Sequence, residues 1–253
     1  MATAKNTKQQ AAKFVILLPP SEGKAEHGQP RTKWKSTAGT FGKQLAAARN
    51  ELIGALNKVG GGNAAILGVQ GALLDRAKNA NKSLIGAPTL PAFERYTGVV
   101  WEHMNLESMA SAQRAKALEH IIVISGLLGA ASATDPVPDY RLKMGARLAP
   151  MGTLSRWWRE PLSVVLNQQF SGYVVVDLLP QEHRAAYAPD LEILGDYLRV
   201  AINEKSGKAG GHDAKTAKGR LARHILDSCA SGANPRGALK SFRDPRFTIA
   251  LET

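Results

Sequence analysis

Four cations, Lys215, Lys218, Arg220 and Arg223, fall within nine residues of a segment whose spacing predicts a helix over 214–226. Leu221, Ile225 and Leu226 supply that helix with apolar anchors. The cations are left outward, where ammonium and guanidinium groups bind phosphate oxygens. Lys215 and Lys218 lie one turn apart, with His224 projecting near them. A further cation, Lys24, closes the run Pro19-Pro20-Ser21-Glu22-Gly23-Lys24, directly after an apolar stretch. A Gly-Lys pair following a strand is the ending of a phosphate loop, in which backbone N–H groups and a lysine cradle phosphate. The first glycine of that signature is absent and Ala25 replaces its Ser or Thr. A nucleotide-triphosphate loop is therefore not expected, whereas an anion-facing Lys24 is.

The central stretch is 120–147, where the apolar run 121–124 stops at Ser125-Gly126 and a Pro- and Asp-containing loop leads to Tyr140-Arg141-Leu142. In open α/β sheets ligands gather where strands end and loops begin. Gly126 and Gly129 would let backbone approach a ligand, and Arg141 offers a planar fork to phosphate or carboxylate. Each feature also has a plain structural reading: a strand and surface loop, a solvated arginine, a basic helix face in water.

The elements that must hold these residues alternate between the two periods. Residues 14–18 and 173–179 read as buried strands. Residues 25–40 read as an extended loop, and 41–59 as a helix stopped by Gly60-Gly61-Gly62. Residues 63–80 read as a pair of helices around Gly68 and Gly71. Segments 91–103, 107–118 and 153–170 have helical spacing, so Tyr96-Thr97-Gly98 falls inside a helix. Trp157-Trp158 could stack on bases, although packing of one Trp into the core is favoured. Residues 191–203 read as one or two strands, Lys205-Ser206-Gly207-Lys208 as a turn, and 247–251 as a closing strand. Strand and helix patterns alternating throughout indicate an α/β fold with a mixed sheet and surrounding helices.

Taken together, several blocks resemble the YaaA family, also called DUF328 or UPF0246 and described as peroxide-stress proteins. They are Pro19 to Lys24, Tyr96-Thr97-Gly98, Ser125-Gly126-Leu127-Leu128-Gly129, Asp135, Tyr140-Arg141-Leu142-Lys143-Met144-Gly145, and Ala214-Lys215-Thr216-Ala217-Lys218-Gly219. They stand in the family's order, with Leu128, Asp139 and Lys143 where the family pattern has Tyr, Pro and Glu. The resemblance implies one compact, family-specific domain over 14–253, after a basic tail at 1–13 expected to be disordered. It also implies a site role for Tyr96, close packing at Gly98 and a place in peroxide stress. A helix-hairpin-helix-like subregion at about 42–80 is carried over from it, although Gly68 and Gly71 have two residues between them rather than one.

A surplus of 33 Lys and Arg over 21 Asp and Glu, formal net charge +12, favours polyanionic partners. The single cysteine, Cys229, excludes an internal disulfide framework and a Cys-based zinc cluster. His103 and His120 have no companions at metal-ligand spacing, so neither metal nor cofactor is expected. No apolar run approaches the roughly 18 residues of a membrane span, and a cytoplasmic protein is expected.

Two readings follow. In the first, DNA or another nucleic acid lies in a basic cleft, with phosphates on Lys24, Arg141, Lys215 and Lys218, helped by Arg220 or Arg223. In the second, the same cations hold a nucleotide-like phosphorylated ligand for an enzyme. Ser21, Ser125 and Gly126 then line its pocket, and Tyr96, Asp177 or Glu22 is the acid–base group. An interaction module whose charge serves solubility is the remaining alternative. The reaction, the base preference and the oligomeric state are not legible in the residues.

Overall fold

The computed structural model describes residues 13–206 and 211–252. Most of the tail, and part of the turn expected at 205–208, lie outside these. Four parallel strands form the heart of the main sheet: Asp196–Glu204, Val174–Asp177, Phe14–Leu18 and Ile121–Ser125, side by side in that order. Antiparallel strands close both edges, Phe247–Glu252 beside Asp196–Glu204 and Gly129–Ser132 beside Ile121–Ser125. The sheet is mixed and the fold is α/β. All five residues of Phe14–Leu18 are buried, as are all five of Ile121–Ser125. Such continuous apolar runs belong to parallel strands covered on both faces.

The chain leaves Phe14–Leu18, returns on one side as Ile121–Ser125, and then crosses to the other side as Val174–Asp177. The strand order therefore reverses about the first strand. A crevice opens at such a point beyond the carboxyl ends of the strands, and here it receives Pro19, Gly126 and Leu178, the first residues after the three strands.

Helices cover the sheet. Gly42–Lys58 packs against Gly71–Lys82 and Leu154–Gln169, while the 20-residue helix Gly211–Ala230 packs along Val99–Met104. Trp158 is wholly buried and donates its indole N–H to the Gly126 carbonyl at 2.9 Å, with Trp157 half-buried beside it. The pair is a core feature. His103 and His120 bond the carbonyls of Val99 and Phe14.

The structure differs from the sequence reading in several places. Within 25–40, residues Gln29–Lys33 form an exposed strand, paired with Pro88–Pro91 and through it with Pro136–Pro138. The expected helix at 91–103 is two short helices, Ala92–Arg95 and Val99–Met104, because Tyr96 is extended and forms an antiparallel bridge with Lys24. The helix expected at 107–118 spans Ser111–Leu118, after a single 3-10 turn at Leu106–Ser108. Asp196–Glu204 is one strand. The 63–80 segment is the short helix Ala64–Leu67, left-handed Gly68, and the longer helix Gly71–Lys82.

Candidate functional site

The bridge between Lys24 and Tyr96 explains why two blocks 72 positions apart in sequence share one site. Thr97 donates its N–H to the Gly23 carbonyl at 3.1 Å, and Ala25 donates to Arg95 at 3.0 Å. Below this bridge the Arg95 guanidinium, fully buried, donates to the carbonyls of Ala25, His27 and Val137. Gly98 follows at the mouth of the helix Val99–Met104. A side-chain carbon there would fall on the Ser21 hydroxyl, so glycine lets the two segments touch without displacing the Ser21 side chain.

A chain of buried hydroxyls forms the floor. Ser125, the last residue of its strand, bonds the Tyr140 hydroxyl at 2.7 Å and accepts the N–H groups of Leu127 and Leu128 at 3.2 Å each. Tyr140 in turn bonds the Tyr96 hydroxyl at 2.9 Å. Burial pushes the Tyr140 phenol up to about 12 and that of Tyr96 well above its usual range. Both are neutral hydroxyls at physiological pH.

Lys24 lies across these rings, its Nζ 4.4 Å from the Tyr140 ring centre and 5.6 Å from that of Tyr96. Its ammonium donates to the Ser21 carbonyl at 2.6 Å. Desolvation lowers this amine from its ordinary value to about 7, with Arg141 and Arg95 acting in the same direction against Asp139 and Glu22. Those carboxylates are engaged elsewhere. Glu22 pairs with Arg141 at 2.8 Å and Lys143 at 3.3 Å, and Asp139 with Arg76 at 3.1 Å. Burial alone would raise the Glu22 carboxyl, but Lys143 and Arg141 outweigh it and hold the group below its ordinary value.

Three contiguous cavities surround this centre, all sharing Glu22. One of about 270 Å³ is lined by Lys24, Arg76, Tyr140 and Arg141. Another, of about 330 Å³, lies between Pro19–Gly23, the Gly98–Trp101 segment, His183, Lys215 and Lys218. A small one of about 60 Å³ joins them beneath Arg141 and Lys143. Lys218 is lowered to about 8, chiefly by desolvation, with Asp177 opposing. Burial, assisted by Lys218, lowers His183 to about 4, and its Nδ1 has no hydrogen-bond partner. A further cavity, about 620 Å³, lies at the opposite, amino end of the central strands beside Phe14, His120 and Cys229. It gathers no comparable set of buried polar groups.

Ser21, Glu22, Lys24, Arg141, Lys215 and Lys218 thus share one cleft, with Tyr96 in its floor. Six other residues singled out in the sequence take different positions. Ser125 and Gly126 lie behind the cavity walls: Ser125 anchors its own turn, and Gly126 packs against the carbonyls of Leu142 and Lys143. Gly129 likewise faces Trp158, not an opening. Arg220 turns away to Asp244 at 2.5 Å. Arg223 binds Asp227 and caps the carbonyls of Met104 and Asn105. His224, expected near Lys215 and Lys218, bonds Ala238 and Ser241 instead.

Asp177 is fully buried and accepts from the Leu179 N–H, the Arg184 guanidinium and the Tyr197 hydroxyl at 2.5–2.7 Å. These bonds set the 178–184 loop and leave little acceptor capacity for a substrate. Sequence reasoning missed Asn81, whose amide donates to Gly61 and Arg141 carbonyls and whose oxygen accepts the Arg141 N–H at 3.0 Å. A polar residue at a core position of a helix was the available signal. It also missed His183 and Arg76. Among the described residues no group of three or more His, Cys, Asp or Glu could hold a metal ion, and no helix is long and apolar enough to cross a membrane.

Known proteins resemble this chain over most of its length. A UPF0246 protein of Streptomyces coelicolor is 31% identical over 244 residues, covering 94% of this chain and 93% of that protein. Another, from Corynebacterium glutamicum, is 31% identical over 222 residues, covering 83% of this chain and 84% of its own length. The family model described as "Peroxide stress protein YaaA" matches residues 14–252. The chain that folds around this cleft therefore belongs to the YaaA peroxide-stress (UPF0246) family.

Proposed function

We propose that this protein is a cytoplasmic member of the peroxide-stress response that binds nucleic acid along the cleft and receives a nucleotide-sized unit in its cavities. The observation that carries this reading is the convergence of Lys24, Arg141, Lys143, Lys215 and Lys218 on one crevice, over a net charge of +12. Phosphate binding of this kind is independent of base sequence and weakens steeply with salt, because each neutralised phosphate releases counterions. The turn from Ala64–Leu67 through left-handed Gly68 into Gly71–Lys82 brings a helical hairpin beside the same crevice: Arg141 donates to the Leu67 carbonyl at 3.1 Å, and Arg76 lines the cavity. It supports a hairpin-type backbone contact to nucleic acid.

The second reading, an enzyme acting on a nucleotide, nucleoside or damaged base, is favoured by the desolvated Lys24 on its two tyrosines. An electrostatic surface has no need of a desolvated amine. Titrating fluorescent single-stranded and duplex DNA across a salt series, with free nucleotides as competitors, separates the two. Salt-steep binding that mononucleotides fail to displace supports the nucleic-acid cleft. Displacement by one nucleotide at low concentration supports a small-molecule pocket; salt-insensitive or absent DNA binding sinks the first reading, and nucleotides that neither stabilise the protein nor turn over sink the second.

A further inference from the structure

Lys24 is an odd structural residue. Its amine is desolvated between two cavities and stacked on the faces of Tyr140 and Tyr96, and it donates to the backbone carbonyl of Ser21. The two carboxylates near enough to stabilise its charge, Glu22 and Asp139, are held by Arg141, Lys143 and Arg76. If packing were its only task, a methionine would fill the space without a charge to desolvate. A lysine placed this way has instead the environment of a nucleophile, because its neutral form is favoured.

We infer that Lys24 is a nucleophilic amine that condenses with the carbonyl carbon of an aldehyde carried on a phosphorylated sugar bound in the cleft. This rests on the phosphate-binding reading above, which supplies the cations that hold the sugar's phosphate: Arg76 and Arg141 line the same cavity as Lys24. Two sources present that chemistry, a nucleic-acid strand that has lost a base, whose ring-opened sugar is an aldehyde flanked by phosphates, and a free aldose phosphate.

The step balances without an added oxidant or reductant. The Lys24 nitrogen lone pair forms a C–N bond to the carbonyl carbon, and an amine proton passes to the carbonyl oxygen, giving a carbinolamine. Loss of that hydroxyl with the second amine proton releases one water and leaves the imine. The amine near 7 is substantially unprotonated at physiological pH, as this addition requires. Tyr140 and Tyr96 remain neutral and form an uncharged wall against the new C=N bond.

The test is reductive trapping. The intact protein is incubated at pH 7.5 with borohydride and one of three ligands: a duplex bearing one abasic site, the same duplex undamaged, or ribose 5-phosphate. Adducts are mapped by peptide mass spectrometry, and binding of both duplexes is measured in parallel. The expected result is an adduct on Lys24 at least about tenfold above that on any other lysine, formed from the abasic duplex or the sugar phosphate and never from undamaged DNA. Mapping in the wild-type chain keeps the result independent of whether Lys24→Arg folds; that variant, if folded, loses the adduct. An adduct at Lys24 from ribose 5-phosphate alone supports the inference and assigns a free sugar as the source. Binding of both duplexes with no adduct, or with adducts scattered over exposed lysines, overturns the inference and leaves the nucleic-acid reading standing. Loss of all binding together with absence of adduct overturns both.

Discussion

The Tyr140 hydroxyl bridges Ser125 at 2.7 Å and Tyr96 at 2.9 Å, while the face of the same ring carries the Lys24 amine at 4.4 Å. One side chain thereby ties the end of a central strand to the bridge that holds the lysine. Replacing Tyr140 with Phe leaves the Tyr96 and Ser125 hydroxyls without their shared partner, at a cost of about 1–3 kcal/mol in urea unfolding. Tyr96→Phe should cost less, and the double variant less than the sum, since the two residues act through one bond. Strict additivity would show that the hydroxyls are energetically independent.

Glu22 is exposed, yet it engages both Arg141 and Lys143. Its removal frees two cations at the cleft. Glu22→Gln should tighten binding of DNA or inorganic phosphate several-fold, with stability changing by no more than about 1 kcal/mol because exposed ion pairs contribute little. Weaker binding in this variant would instead make Glu22 a direct ligand contact.

Lys215 and Lys218 line the cleft, whereas Arg220 and Arg223 are committed to Asp244 and Asp227. Replacing the two lysines with Ala should weaken DNA binding and reduce the slope of log affinity against log salt by about 2. Changing Arg220 and Arg223 to Ala should leave that slope intact and lower stability instead. If both pairs flatten the slope equally, the division between them is wrong.

Lys24 also makes stability depend on pH. Its folded value, about 7, lies below its ordinary 10.5, so between these pH values the unfolded chain binds a proton that the folded chain does not. Stability attributable to this group therefore rises with pH from about 7 to 10.5 and is lowest in acid. Lys24→Met should abolish that rise. Relative to wild type, the variant should gain on the order of a few kcal/mol more at pH 6 than at pH 10. Parallel urea-midpoint profiles for the two proteins would rule the shift out.

What the sequence revealed depended on whether the signal was local. The strands at Phe14–Leu18 and Ile121–Ser125 were legible because unbroken apolar runs need cover on both faces, and Gly42–Lys58 because its apolar residues recur at helical spacing. Tyr96 was misplaced in a helix, since its apolar neighbours keep helical intervals while its backbone is fixed by pairing with Lys24, a partner 72 positions away. The cluster around Lys24 and Lys215 was reachable through the family's blocks. The separation of Lys218 from Arg220 and Arg223 was not, because it depends on where Asp244 and the Met104 carbonyl lie in space.

The grip on Arg141 has a mechanical side. Its guanidinium reaches Glu22 with one nitrogen and the Leu67 carbonyl with another, and Asn81 holds its backbone at both the N–H and the carbonyl. Leu67 ends the shorter helix of the hairpin and Asn81 rides on the longer one. A ligand that draws Arg141 away from Glu22 consequently pulls on both arms of the hairpin at once. The occupied and empty cleft would differ in the tension on that hairpin, and amide exchange at Gly68 would be its gauge.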